Sequence, residues 1–120
     1  MLEGEQEQII QIITEAIFEK KGQDVRLLEL KDLTTIADYF VICSAESDMQ
    51  VKAIADNIND NLAKAGIKIW KKEGFKALSW VLIDLSDIVV HVFRNESRQF
   101  YNLERLWGDA PVTEITDPLK

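Results

Sequence analysis

Residues 80–111 read WVLIDLSDIVVHVFRNESRQFYNLERLWGDAP. Trp80–Leu85 and Asp87–Phe93 are dense apolar runs separated by a polar break around Leu85-Ser86, a spacing that predicts a β-hairpin. Alternation along the second run sets Ile88, Val90 and Val92 on one face and Val89, His91 and Phe93 on the other. A short helix is predicted next, over Ser97–Trp107, stopped by Gly108. Taken at about 100° per residue, it turns Phe100, Leu103, Leu106 and Trp107 towards one side, the side expected to pack on the core. Arg98, Tyr101 and Arg105 point the other way, with Glu104 beside Tyr101. A small domain needs the strands for its core, but not this density of aromatic and charged groups on a last helix. Tyr, Trp and Arg carry most of the binding energy at protein interfaces, so Tyr101, Glu104, Arg105 and Trp107 read as a partner surface. Trp80, which opens its strand, could equally lid the core or anchor a partner.

Upstream, apolar residues at helical spacing (Ile9, Ile13, Ala16, Ile17) predict a helix over about Glu5–Lys20. Strands are expected at Val25–Leu30 and at Tyr39–Cys43, the latter continuously apolar, as in a strand covered on both faces. Ser47-Asp48-Met49-Gln50 fits a capping box that starts a second helix, whose stripe is Val51, Ile54, Ala55, Ile58, Leu62 and Ala65. Gly66 supplies the left-handed residue that ends it. Ile67–Trp70 alternates as a short strand. The expected fold is α/β, a mixed sheet of about five strands flanked by helices, with residues 1–108 as a single domain and 109–120 as an exposed tail. The helical connection over 47–66 implies parallel strands at its two ends.

At 120 residues the chain is one domain by size, long enough to bury roughly two thirds of its unfolded surface. A single cysteine, Cys43, excludes an internal disulfide and suits a reducing compartment. The acidic start is neither a secretory signal nor an Arg-rich presequence, and no apolar run approaches the ~18 residues of a membrane span. A cytoplasmic protein without membrane contact is therefore expected. The net charge of −7 speaks against phosphate backbones as the main partner and for a basic protein. Against that trend, Lys64, Lys68, Lys71, Lys72 and Lys76 cluster in one segment. They read either as guards of a sheet edge or as a contact to nucleic acid or a partner.

Candidate chemistry is sparse. Asp84 with Asp87, or Glu46 with Asp48, could hold a divalent metal for phosphoryl transfer. Such sites usually add a glycine-rich cradle, and this chain has no glycine between Gly22 and Gly66. Turn shaping for the first pair and helix-start charge for Asp48 account for these residues more simply. His91, the only histidine, has no neighbouring nucleophile in sequence and reads as a structural or interface residue. Cys43 lies in a core strand. Two His and Cys residues in all cannot make a zinc site.

Asp38-Tyr39-Phe40-Val41-Ile42, Ser47-Asp48, Val51–Asp56 and Glu73-Gly74 then carry a resemblance, extended by Trp80–Asp84, Asp87–Phe93, Arg98, Tyr101 and Leu103–Trp107. Together they resemble the ribosomal silencing factor family, also called Iojap-like, over roughly residues 8–111. The resemblance implies a nucleotidyltransferase-like fold without known catalysis, needing no cofactor or metal. It implies binding to the large ribosomal subunit through ribosomal protein fourteen, where the bound factor blocks joining of the small subunit and lowers translation when nutrients are scarce. Related organellar members imply an alternative role in large-subunit assembly. The partner-binding residues it implies are Trp80, His91, Arg98, Tyr101, Glu104, Arg105 and Trp107, with Asp38 and Asp84 as further positions. No direct nucleic-acid binding is required. Ser86 departs from the glycine often found in the hairpin turn. The competing readings are a magnesium-dependent nucleotidyltransferase using Asp84 or Asp87, and an adaptor that forms a homodimer.

Overall fold

The hairpin forms where the two apolar runs predict it. In the computed structural model, which describes residues 4–117, Trp80–Asp84 (β4) and Ile88–Arg94 (β5) pair antiparallel, Trp80 opposite Phe93 and Asp84 opposite Val89. Ser86, at the turn, takes φ +78°, a left-handed conformation that glycine enters without steric cost and serine does not. The Asp84 carboxylate supports the turn by accepting the Ser86 backbone N–H at 2.7 Å. Ser86→Gly is therefore expected to stabilise the fold by about 0.5–1 kcal/mol, read as a higher urea midpoint. A lower midpoint would show that the serine side chain contributes more than the backbone strain removes.

Around the hairpin the elements run Gly4–Glu19 (α1), Gln23–Glu29 (β1), Tyr39–Ala45 (β2), Asp48–Lys64 (α2) and Lys71–Glu73 (β3) before it. Asn95–Tyr101 (α3), Leu103–Leu106 (α4) and Val112–Glu114 (β6) follow. The sheet order is β3-β4-β5-β2-β1-β6, in six strands. Only β2 and β5 pair in parallel, with Phe40 beside Val89 and Ile42 beside His91. The pairings of β3 with β4 and β4 with β5 are antiparallel, so β2 and β3, at the two ends of the α2 connection, run in the same direction, as expected.

The capping box is half as drawn from sequence. Ser47 Oγ accepts the Gln50 N–H at 3.1 Å. Gln50 Oε1 accepts from the Glu46 N–H instead of that of Ser47, while its Nε2 donates to the Lys20 and Lys21 carbonyls. One side chain thus starts α2 and satisfies carbonyls at the end of α1. Gly66, at φ +74°, ends α2 as expected.

α1 and α2 cover one face of the sheet. Ile10, Ile13, Ala16 and Ile17 of α1 and Val51, Ile54, Ala55, Ile58 and Leu62 of α2 pack on Val41, Cys43, Val81, Ile83, Val90 and Val92. The other face carries a smaller core of Leu28, Phe40, Ile42, Val89 and Phe93. Among the described residues it is covered by α3, α4, the chain around Ala110 and, from the β1–β2 connection, Leu30 and Ala37.

Two expectations are corrected. The short strand predicted at Ile67–Trp70 lies at Lys71–Glu73, because Ile67 and Ile69 turn in against the helix-side core and ladder pairing begins only after them. Residues 109–120 are not a free tail throughout. Ala110 is buried, the Pro111 carbonyl accepts from the Glu29 N–H, and β6 pairs antiparallel with Arg26–Leu28 of β1. The side chains of β6 remain exposed, so its apolar pattern gave no strand signal, and backbone pairing holds it. Residues 118–120 of that expected tail lie outside the described residues.

Candidate functional site

The thinly covered sheet face gathers most of the aromatic residues that the sequence singles out. Trp80 and His91 stand on neighbouring strands on this side, and the Trp80 indole N–H donates to His91 Nδ1 at 3.1 Å. The Trp80 ring stacks on Phe93 (centroids 4.9 Å apart) and meets Tyr101 of α3 at a tilt (4.7 Å, 43°). Phe100 meets Tyr101 edge to face at 5.0 Å. A continuous series of rings therefore climbs from a buried strand to the surface, and its outer members are open: Tyr101 is 51% and Phe100 81% exposed. At the other side of the face Trp107 meets Phe40 edge to face, and Phe40 in turn packs on His91 at 4.5 Å. The backbone fixes this arrangement from beneath. Gly74, at φ +89°, lies so close to the Trp80 carbonyl that a Cβ there would stand 2.0 Å from the oxygen, so only glycine fits without moving Trp80.

The predicted single helix over Ser97–Trp107 is corrected to two. Asn102 takes φ +46° between α3 and α4, and its side-chain oxygen accepts the Arg105 N–H at 3.3 Å. Asparagine tolerates the left-handed region and serves as a helix N-cap. The break spoils any extrapolation at a fixed angle per residue. Phe100 and Leu106, expected on the core, are 81% and 71% exposed. Arg98, expected on the outer side, is buried. Leu103 and Trp107 do pack on the small core.

Arg98 reaches inward to three elements. Nη1 donates to the Asp24 carbonyl and to Ser44 Oγ (2.8 Å), and Nε and Nη2 donate to the Glu104 carboxylate (3.0 and 3.2 Å). Glu104 also accepts from Arg26 Nη1 of β1 at 2.9 Å. Burial alone would raise the Glu104 carboxyl, but the Arg98 hydrogen bond and charge, joined by Arg26, outweigh it and hold the group below the usual carboxylate range. Arg98 and Glu104 thus fasten α3 and α4 to the sheet beneath the exposed rings. Arg105 stays exposed on α4.

His91 is 3% exposed, and burial lowers its pKa to about 4, so the ring is neutral at pH 7. Nδ1 accepts from Trp80, which assigns the proton to Nε2, and Nε2 has no hydrogen-bond partner among the described residues. Burial pushes the Cys43 thiol up to about 12, only partly opposed by the Arg98 charge, which makes it unreactive.

The remaining carboxylates do not join the aromatic face. Asp38 accepts from Gln6 of α1 at 2.9 Å, Asp84 is engaged by the Ser86 N–H, and Asp48 pairs with Arg94 at 3.1 Å. Among the described residues no three His, Cys, Asp or Glu side chains converge as metal ligands, and no helix is long and apolar enough to cross a membrane. Sequence reasoning missed Phe40, Phe100 and Arg26. For Phe100 the available signal was Asn102, a helix-breaking residue two positions on. Arg26, a charge in the middle of an apolar strand, was itself a hint of a buried pair.

The chain is similar to known proteins over most of its length. A family model described as ribosomal silencing factor during starvation matches residues 3–120. A ribosomal silencing factor of Bacillus subtilis is 46% identical over 110 residues, 92% of this chain and 93% of its own length. The chloroplastic Iojap protein of Zea mays is 35% identical over 103 residues, 86% of this chain but 45% of its own. Among solved structures, one from Bacillus halodurans is similar with a TM-score of 0.80 and 39% identity, covering 91% of this chain and 99% of that one. One from Chromobacterium violaceum gives 0.83 and 32%, covering 95% of each. Matched over nearly its whole length and at these identities, the chain belongs to the ribosomal silencing factor family.

Proposed function

We propose that the chain docks on the large ribosomal subunit through the exposed end of its aromatic series, that the contacted protein is ribosomal protein fourteen, and that the bound factor keeps the small subunit from joining. The observation that carries this reading is the run Phe93–Trp80–Tyr101–Phe100, which passes from full burial to 81% exposure. Large apolar groups left open in this way, rimmed by polar residues, mark a docking surface. Preorganisation matters as much as exposure: rings already packed against one another lose little freedom when a partner arrives. Family membership supplies the ribosomal setting, and the net charge of −7 suits a basic ribosomal protein. Steric occlusion needs no reaction and no cofactor. A standard interface of about 1,600 Å² in total is within reach of this domain.

Trp80, Tyr101 and Trp107 act as anchors, with Phe100 beside them and Arg105 at the rim. His91, Arg98 and Glu104 act from underneath. Tyr101→Ala and Trp80→Ala are each expected to weaken large-subunit binding by about 2 kcal/mol, roughly thirty-fold. The half-exposed Tyr101 should leave the unfolding midpoint nearly unchanged. The test mixes separated subunits with the protein and follows reassociation on a sucrose gradient. Wild type should travel with the large subunit and hold the subunits apart, and the variants should let them join. Binding that leaves joining intact would replace silencing with an assembly role. Absence of binding would remove the ribosomal reading.

A further inference from the structure

The aromatic face leaves one feature of the chain unused. Residues 64–76 carry five lysines against a single acid, Glu73, in a protein whose overall charge is −7. The whole chain carries 21 acidic side chains, yet those outside this segment do not neutralise it. Lys71 meets Glu73 at 3.6 Å, and no ion pair among the described residues engages Lys64, Lys68, Lys72 or Lys76. The segment forms the free edge of the sheet, since β3 ends the strand order. Just before it, Ile67 and Ile69 tuck against the core, which turns Lys68 and Trp70 outward together. Trp70 is 71% exposed.

Edge protection does not account for this pattern. Lysines on an edge discourage pairing with another chain, and a strand of three residues needs one or two of them. An open indole in the same row works against such protection, because it offers an apolar surface to any passing strand. A flat ring beside lysines, of which only Lys71 meets a carboxylate while Lys72 lies over the Phe75 ring at 5.9 Å, is instead the arrangement that binds single-stranded nucleic acid: lysines follow the phosphates while a base stacks on the ring. An acidic peptide would meet the same lysines but has no planar group that requires an exposed indole.

We infer that the segment around β3 is a second binding surface, for a single-stranded or looped stretch of RNA, with a base on Trp70 and phosphates on Lys68, Lys71 and Lys72. It goes beyond the protein-docking reading and does not depend on it, because Trp70 takes no part in the aromatic series of the other site. On a ribosome it supplies an RNA contact beside the protein one, and its sequence tolerance follows from stacking, to which every base is open.

The test uses the full chain and a fluorescein-labelled twelve-nucleotide oligouridylate, followed by anisotropy between 50 and 200 mM KCl. Wild type should bind, more weakly as salt rises. Trp70→Ala should weaken binding about ten-fold, the loss of one stacked base. Changing Lys68, Lys71 and Lys72 together to Gln should reduce the slope of log affinity against log salt by about 2, since each phosphate contact on a single strand contributes about 0.7. Trp80→Ala should leave RNA binding unchanged while weakening large-subunit binding, which keeps failure of one surface distinct from failure of the other. No binding at 50 mM KCl, binding indifferent to Trp70, or equal competition by polyglutamate would each overturn the RNA assignment, the last in favour of an acidic peptide.

Discussion

Arg98→Met is expected to cost the fold about 3–5 kcal/mol, the loss typical of breaking a buried ion pair from one side. The Arg98 side chain is 10% exposed and that of Glu104 19%, so water replaces the missing guanidinium only in part. Its removal leaves the Ser44 hydroxyl, the Asp24 carbonyl and part of the Glu104 carboxylate without donors. Arg26 still holds one Glu104 oxygen at 2.9 Å, but Arg26 is partly exposed and reaches only that side. Arg98→Lys should recover little, because an ammonium cannot serve a carboxylate, a hydroxyl and a carbonyl in one planar fork. The decisive comparison is the double variant Arg98→Met with Glu104→Leu. Removing both partners avoids a buried unpaired carboxylate, so the pair should be more stable than Arg98→Met alone. Urea midpoints of the three proteins measure this. A double variant no more stable than the single one would show that the ion pair is incidental to how α3 is held. Large-subunit binding should fall along with stability, because the same clasp positions Tyr101.

That clasp also marks where the sequence stops being legible. The hairpin, both long helices and the division of Ile88–Phe93 between two faces were readable because apolar periodicity reports burial directly, and the structure reproduces each. Trp80 and Tyr101 were readable as interface types by chemistry alone, and they touch. What failed depended on information that periodicity lacks. One left-handed residue, Asn102, broke the helix, so the face that Leu103 and Trp107 turn to the core does not continue through α3, where Phe100 is exposed and Arg98 buried. β6 has no buried side chain and exists because the free edge of β1 offers backbone partners. The strand order needed long-range pairing, for which neither spacing nor composition gives a sign. The lysine segment was visible in the sequence, but Trp70 became informative only once the structure left it uncovered.

Acid is expected to unfold this protein in two overlapping stages that a single substitution can separate. His91 is neutral and buried in the fold with a pKa lowered to about 4, whereas in the unfolded chain it titrates near 6.5. Between those values the unfolded state binds a proton that the folded state refuses, so stability is complete above about pH 6.5 and drains away as the pH falls towards 4. The whole loss is on the order of 3 kcal/mol. The rings of Phe40, Trp80 and Phe93 surround the imidazole, and none offers a charge to stabilise the protonated form. Glu104 adds to the loss at lower pH. Its carboxyl is held below its ordinary value in the fold, so its contribution is present above the ordinary carboxylate range and disappears as protonation of the folded state begins. The two groups act in the same direction, the histidine first. His91→Gln keeps an acceptor for the Trp80 indole while removing the titration. Urea midpoints of this variant should stay flat from pH 7 to 5, where wild type declines, and fall only at lower pH. The indole N–H of Trp80, followed by NMR, should shift in wild type as acid protonates Nδ1 and breaks its hydrogen bond. A wild-type midpoint constant between pH 7 and 4.5 would mean that His91 finds a partner for its charge, and that the neutral, sealed aromatic layer beneath the docking surface opens far more readily than its packing implies.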